Sequence, residues 1–272
     1  MNNFWTRTLT GAVFVAIMIG GIWWSYWSMA FLFFVIIVLG LWEFYSLVEQ
    51  KSIQKVFGIL LGISIFAAII LSNAWLFSYY PALAILFLSA TIIIAELFLH
   101  SQKPFSNIAF AFWGVIYISI PFSLLTIPTY HVHLMMSDTY SPDFLLGYFF
   151  LLWSNDTFAY LVGIAIGKHK LFERISPKKT WEGFAGGIIC TIGIASVISV
   201  FFTELTMIQW MIVSLIVSVF GTLGDLVESM FKRSLGVKDS GTILPGHGGI
   251  LDRFDGVLLS SPFVVTYLLL IR

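Results

Sequence analysis

MIQWMIVSLIVSVFGTLGDLVESM, residues 207–230, is an apolar run long enough to cross a membrane, and it turns polar at one end. No ionisable side chain occurs before Asp225. From there Asp225, Glu228, Ser229 and Lys232 follow at i, i+3, i+4 and i+7, a spacing that lines them along one helical face. A rise of about 1.5 Å per residue puts Asp225 about 10 Å below Lys232. The stretch therefore reads as a membrane helix whose polar face leads out to the surface. A hydrocarbon core about 30 Å thick needs roughly 20 apolar residues per helix. On that ruler nine runs lie near 9–26, 28–45, 56–72, 75–98, 108–126, 144–167, 183–202, 207–230 and 255–271.

Composition agrees. The chain is 59% hydrophobic and only 10% charged, whereas soluble domains carry about a quarter charged residues. The expected fold class is an all-α polytopic membrane protein with about nine transmembrane helices. A formal net charge of zero offers no basic excess for a nucleic-acid backbone. Cys190 is the sole cysteine, which excludes an intrachain disulfide and a thiolate-rich metal site. The first run follows Arg7 as a signal peptide would. It is followed by Trp23, Trp24, Tyr26 and Trp27 rather than a small-residue cleavage site, so it reads as a retained span with an aromatic belt.

The connections set direction. Basic residues fall at Arg7, at Lys51 and Lys55, at Lys103, from Lys168 to Lys179 and from Lys232 to Arg253. These are alternate connections, and the intervening ones contain no Lys or Arg; Arg272, at the end, is the exception. The positive-inside rule then makes the N-terminus cytoplasmic and the C-terminus external, with polar segments 168–182 and 231–254 on the cytoplasmic side. Ionisable residues within the spans concentrate late in the chain. Residues 1–143 are thus expected to form a transmembrane scaffold of about five helices, and residues 144–272 a working region. Glu43, Glu96 and His100, at the cytoplasmic ends of early spans, read as interfacial side chains.

Asn155 and Asp156 lie mid-span, roughly 18 Å along the helix from Lys168. A carboxylate at that depth needs water, a cation or a partner. With Asp225 it points to a water-filled cavity open to the cytoplasm, although a helix-to-helix hydrogen bond would also account for Asp156. The segment 229–255 is the densest in charge. Lys232, Arg233, Lys238 and Arg253 are positioned for phosphates, while Gly246, Gly248 and Gly249 around His247 let backbone N–H groups approach an anion. Asp225, Asp252 and Asp255 supply hard oxygen ligands of the kind Mg²⁺ accepts beside substrate phosphates. Lys178 and Lys179, in Ser176–Gly183, fit either a phosphate clamp or a topogenic signal.

Ser229, Lys232-Arg233, Lys238-Asp239, Gly241, Leu244-Pro245, His247-Gly248-Gly249 and Asp252-Arg253-Phe254-Asp255 together resemble the signature of the phosphatidate cytidylyltransferases, also called CDP-diacylglycerol synthases. Asn155-Asp156 through Tyr160, Ser176 to Gly183 and Gly224-Asp225-Leu226 are also similar to that family's patterns, so the resemblance covers roughly the last 120 residues. It implies transfer of the cytidylyl group of CTP to phosphatidic acid, giving CDP-diacylglycerol and pyrophosphate for phospholipid synthesis, with Mg²⁺ and room for a monovalent cation such as K⁺ beside it. Asp225 and Asp252 would be the metal carboxylates. Lys232, Arg233, Lys238 and Arg253 would meet phosphates, and Lys178 and Lys179 either substrate. Asp239 and Asp255 would support the metal or the nucleotide, with Asn155, Asp156, Ser229, Gly248 and Gly249 in the same substrate site. His247 either donates to the leaving pyrophosphate or braces the loop.

The short polar N-terminus resembles bacterial members, which implies the bacterial cytoplasmic (inner) membrane. A polyprenol or dolichol kinase would share the cavity but transfer the γ-phosphoryl group. An ion-coupled transporter would show matched broken helices in both halves. Small-residue faces such as Gly183 with Gly187 permit close helix packing, a homodimer included. The topology is testable in a Cys190-free background: a cysteine near Ser137 should label from outside and one near Lys170 only from inside. Labelling of both from one side would overturn it.

Overall fold

The computed structural model describes residues 3–73, 80–131, 140–243 and 248–271. Ser137, Gly246, His247 and Arg272 fall outside them. The elements in order are helices α1 (Asn3–Trp24), α2 (Tyr26–Leu47), α3 (Ser52–Asn73), α4 (Tyr80–Phe98) and α5 (Pro104–Gly114), a π turn (Val115–Ser119), then α6 (Ile120–Leu124), α7 (Pro128–His131) and α8 (Asp143–Ile166). After α8 come strands β1 (Lys170–Phe172) and β2 (Ser176–Thr180), then α9 (Trp181–Phe201), α10 (Met207–Ser234) and α11 (Leu251–Leu270). The π turn absorbs Pro121: a ring nitrogen has no N–H to give, and the widened turn lets the helix continue.

Among the described residues eight helical stretches are long and apolar enough to cross a membrane: α2, α3, α4, α5 through α6, α8, α9, α10 and α11. Within α1 the apolar part is shorter, Thr8–Trp24. The protein is a helical polytopic membrane protein. One element departs from the all-α expectation. Residues 168–182, expected as a plain loop, contain an antiparallel hairpin with Lys170 opposite Thr180 and Phe172 opposite Ser176. Glu182 clasps its base, accepting from the backbone N–H groups of Lys168 and His169 and pairing with His169 Nδ1 at 2.6 Å.

The described chain divides into two compact units: residues 1–127 with 239–253, and residues 128–238 with 254–272. The polar stretch 239–253, expected to belong with the C-terminal helices, groups with the N-terminal ones.

In the first unit α2 is the central helix. Met29, Phe33, Ile37, Leu41, Phe44 and Tyr45 have no exposed surface, and their three- and four-residue spacing keeps them on one stripe. Ser25 and Ser28 form a capping box at its start. The Tyr45 hydroxyl donates to the Ala111 carbonyl at 2.6 Å. Its ring occupies the room that a Cβ on Gly58 or Gly114 would need, at 2.5 and 2.7 Å. Glu96 corrects the interfacial reading made from sequence. It is buried and accepts hydrogen bonds from the amides of Gln54 and, at 2.6 Å, Asn107. A carboxylate placed near a helix end was free to reach water; here two amides hold it inside.

In the second unit α8 packs on α9 through small residues. A Cβ on Gly183 would lie 2.6 Å from the Ala159 carbonyl oxygen, and one on Gly187 3.0 Å from the Ala159 Cβ. The face that suggested a dimer is thus occupied within the chain. Farther along, α10 meets α11 just past its first turn at Gly224, where a Cβ would stand 2.4 Å from the Asp255 carbonyl oxygen. Tyr148 and Ser260 share a buried 2.6 Å hydrogen bond, and Trp210 donates from Nε1 to the Phe202 carbonyl at 2.9 Å.

Adding a methyl group at Gly183 should therefore cost about 1–3 kcal/mol of stability through overpacking. The control is Gly193→Ala, because nothing lies within 4 Å of a Cβ there. Thermal unfolding of the purified protein in detergent should drop for Gly183→Ala and hold for Gly193→Ala; equal shifts would contradict the close crossing.

Candidate active site

Helix α10 carries the charged face that its spacing predicts. It opens on a capping box, with Thr206 N–H donating to Gln209 Oε1 at 2.8 Å. It closes on Gly236 at φ +72, with Gly236 N–H donating to Arg233 O and Val237 N–H to Lys232 O. That pairing is a Schellman cap, and it fixes where Lys238 leaves the helix. Toward this end Glu228 is buried and forms an ion pair with Lys232 at 2.7 Å. One turn deeper, Asp225 Oδ1 accepts from Ser229 Oγ at 3.2 Å while Oδ2 pairs with Lys179 Nζ at 2.6 Å.

Strand β2 delivers that lysine. Alternation along a strand sends neighbouring side chains to opposite faces, so Lys179 is partly buried against Asp225 while Lys178 is exposed. Thr180, the next residue, caps α9 by accepting from Gly183 N–H at 3.1 Å. Asp255 lies within electrostatic reach of Asp225, Glu228 and Asp156. Four neighbouring carboxylates, two of them paired with the ammonium groups of Lys179 and Lys232, make this region of the second unit rich in hard oxygen donors. Among the described residues no three His, Cys, Asp or Glu side chains form a ready-made metal cage. One or two carboxylates completed by water and substrate phosphates is the usual way Mg²⁺ is held, and this donor set fits it. Asn155 is buried behind them and reaches Thr222 Oγ1 at 3.5 Å, joining α8 to α10.

The loop of the first unit closes on two carboxylates of its own. Asp252 Oδ2 accepts from Ser240 N–H and Ser240 Oγ at 3.0 Å each and from Gly249 N–H at 2.8 Å. Gly248 has φ +82, and a Cβ there would stand 2.5 Å from Asp252 Oδ2, so both backbone and space require glycine. The second carboxylate is Glu43 of α2. It is buried, accepts Leu251 N–H on Oε2 at 3.0 Å and has Ser240 and the Ile250 N–H beside it. It is not an interfacial side chain.

The sequence-derived candidates thus separate by location. Asp156, Lys179, Asp225, Ser229, Lys232 and Asp255 belong to the second unit, with Lys178, Arg233 and Lys238 exposed there. Arg233 also donates to the Val237 carbonyl at 3.1 Å. Asp239, Gly248, Gly249, Asp252 and Arg253 belong to the first, where Asp239 and Arg253 are exposed. Reasoning from sequence read Glu43 as interfacial and gave Glu182 no role of its own. Glu43 is a lone carboxylate at the end of an apolar run whose partner lies 208 positions away, while Glu182 sits in the first turn of α9 and finds Lys168 and His169 within its own polar segment.

Residues 5–271 match the family described as the cytidylyltransferase family. The chain belongs to this family. It is 42% identical over 185 residues to a Staphylococcus haemolyticus (strain JCSC1435) protein named phosphatidate cytidylyltransferase, a match covering 67% of this chain and 65% of that protein. Proteins of the same name from Staphylococcus saprophyticus (40% over 185 residues) and Staphylococcus aureus strain COL (42% over 187 residues) match over the same shares, 67% of this chain and 65% of each relative. The matched stretch therefore spans just under two thirds of these relatives' length.

The buried ion pair gives a stability test. Lys232→Met takes away the ammonium that faces the buried Glu228 and should cost about 3–5 kcal/mol, the usual result of breaking a buried pair from one side. Lys232→Met combined with Glu228→Leu should regain much of that loss. A chemical-denaturation series in detergent that finds the two changes additive would remove the pair from this account.

Proposed function

We propose that the chain transfers the cytidylyl group of CTP to phosphatidic acid, giving CDP-diacylglycerol and pyrophosphate. The observation that carries this reading is the carboxylate group around Asp225, with Lys179 and Lys232 set against it at the polar end of a membrane helix. Family membership and the name of the relatives support the same reading. So does the exposed basic set Lys178, Arg233, Lys238 and Arg253.

The chemistry asks for little proton transfer. A phosphate monoester is already an anionic nucleophile, so its oxygen attacks the α-phosphorus of CTP in line, forming one P–O bond as the bond to the β-phosphate breaks. The difficulty is bringing two anions together. When bound, Mg²⁺ would offset charge on the phosphates and on the departing pyrophosphate. Asp225 is the carboxylate we assign to it in the second unit. Asp252 is assigned the same role in the first, with Oδ2 committed to the loop. Lys179 and Lys232 stabilise charge that builds on the phosphates, and Lys178, Arg233, Lys238 and Arg253 recruit and orient them. Asp156, Ser229, Asp239 and Asp255 take supporting positions, and a monovalent cation such as K⁺ fits the remaining carboxylates. His247, outside the described residues, keeps its two assignments, donor to pyrophosphate or brace of the loop.

We place the polar ends of α8, α9 and α10 at the cytoplasmic face of a bacterial membrane, where CTP is found, with a water-filled entry reaching Asp225. The alternation of basic connections supports this orientation.

The purified protein with Mg²⁺, phosphatidic acid and CTP labelled at the α-phosphate should place label in the lipid and release pyrophosphate. Label reaching lipid only from γ-labelled CTP would instead indicate a lipid kinase. Asp225→Asn should insert normally and lose activity by about a hundredfold or more, as loss of a main charge-stabilising group does. Full turnover by that variant would remove Asp225 from the metal site.

A further inference from the structure

We infer that Glu43, on α2 of the first unit, is a positioning residue for the reaction: its carboxylate is the seat against which residues 239–243 and 248–250 lie. Glu43 lies 208 positions from its partner Leu251 in sequence, so no local tendency brings the two together. It receives Leu251 N–H at the first residue of α11, where free backbone N–H groups and the helix dipole favour a negative charge. Ser240 and the Ile250 N–H adjoin the same carboxylate.

The glycines of the loop provide an independent observation. A Cβ on Gly241 would lie 1.9 Å from Glu43 Oε1, and one on Gly249 1.6 Å from the same oxygen. Neither glycine has a left-handed backbone, since the positive-φ glycines among the described residues are Gly236 and Gly248. These two are small because the loop is folded around a carboxylate, not because the chain must turn there. Ser240, held between them, is also the residue that fixes Asp252, so the seat and the Asp252 brace share one element. Glu43 thus sets the positions of Asp239, Asp252 and Arg253 without touching substrate.

The inference rests on the CTP:phosphatidate reading for its kinetic arm and is independent of it in its structural arm. Glu43→Ala and Gly241→Ala should each lower kcat/KM for CTP by about ten- to a hundredfold, the scale of loss from misplacing reacting groups. The KM for phosphatidate should hold, a split that general destabilisation does not produce. The double variant should be no worse than Glu43→Ala alone, because the added methyl meets no carboxylate; full additivity would overturn the seat. Glu43→Gln, which keeps the shape and one acceptor oxygen, should recover part of the loss.

The structural arm uses Ile250→Cys in a Cys190→Ser background in detergent. Ile250 is buried, and Glu43→Ala should speed its reaction with a maleimide at least about tenfold, the factor expected from losing a charged hydrogen bond. Should Glu43→Ala fail to accumulate, Glu43→Gln carries the same comparison. Unchanged labelling in an active protein would overturn the seat. If the unaltered protein places no α-label in lipid, the proposed reaction fails while the labelling rates still judge Glu43.

Discussion

A carboxylate held among apolar helices has to be met by a donor or a cation, because burying an unmatched charge costs several kcal/mol. Each unit is organised by that requirement. In the first, Glu96 is met by the amides of Gln54 and Asn107, and Glu43 by backbone N–H of a loop far along the chain. In the second, Glu228 is met by Lys232 and Asp225 by Lys179. The two solutions differ in consequence. Amide and backbone donors are fixed, so Glu96 and Glu43 serve architecture. Ammonium groups on flexible stems can change partners, so the part-exposed Lys179–Asp225 pair is the one free to admit another anion.

Glycines of the polar segment separate by cause. Gly236 ends α10 because its φ of +72 is left-handed and the space around it is open. Gly248 combines a left-handed backbone with the nearby carboxylate of Asp252. Gly241 and Gly249 have ordinary backbones; Glu43 leaves no room for a side chain at Gly241, and Glu43 together with Ser240 leaves none at Gly249. Gly224 answers to a carbonyl on the facing helix. From sequence, a cluster of glycines beside His247 suggested N–H groups open to a substrate anion. Of these, Gly249 N–H is directed at Asp252. The anion first served by the loop is the protein's own.

What could be read from the sequence was what repeats within one helix. The i, i+3, i+4, i+7 spacing of Asp225, Glu228, Ser229 and Lys232 predicted a shared face, and α10 pairs Asp225 with Ser229 and Glu228 with Lys232. Apolar run length located eight membrane-length helical stretches and the shorter Thr8–Trp24. Partnerships between elements were not legible. Nothing local distinguishes Lys179, which reaches Asp225, from exposed Lys178; the hairpin register decides it, and without the strands the Lys-Lys pair fits a phosphate clamp and a topogenic signal alike. Glu43 and Glu96 look alike as helix-end carboxylates near the surface, and only long-range packing assigns them inward. The Gly183 and Gly187 face was read correctly as one for close helix packing, but composition cannot say which helix fills the groove, and here it is α8 of the same chain.

The Lys179–Asp225 pair bears on how the proposed reaction can begin. At 2.6 Å, with both side chains part-exposed, the two groups neutralise one another at modest desolvation cost. On the proposed reading, an arriving polyphosphate would offer Lys179 a new partner of opposite sign, and a cation bound with it would offer one to Asp225. Charge stays balanced throughout, so neither group is stranded in a membrane environment during the exchange. A lysine without such a carboxylate would hold the next anion too tightly, and a carboxylate without such a lysine would repel it. Glu228 and Lys232, more deeply buried, are poorer candidates for that exchange because separating them exposes Glu228 to the full cost of an unmatched charge. The more exposed pair is therefore the one suited to yield to substrate, while the buried pair holds Lys232 in position on α10 as it does.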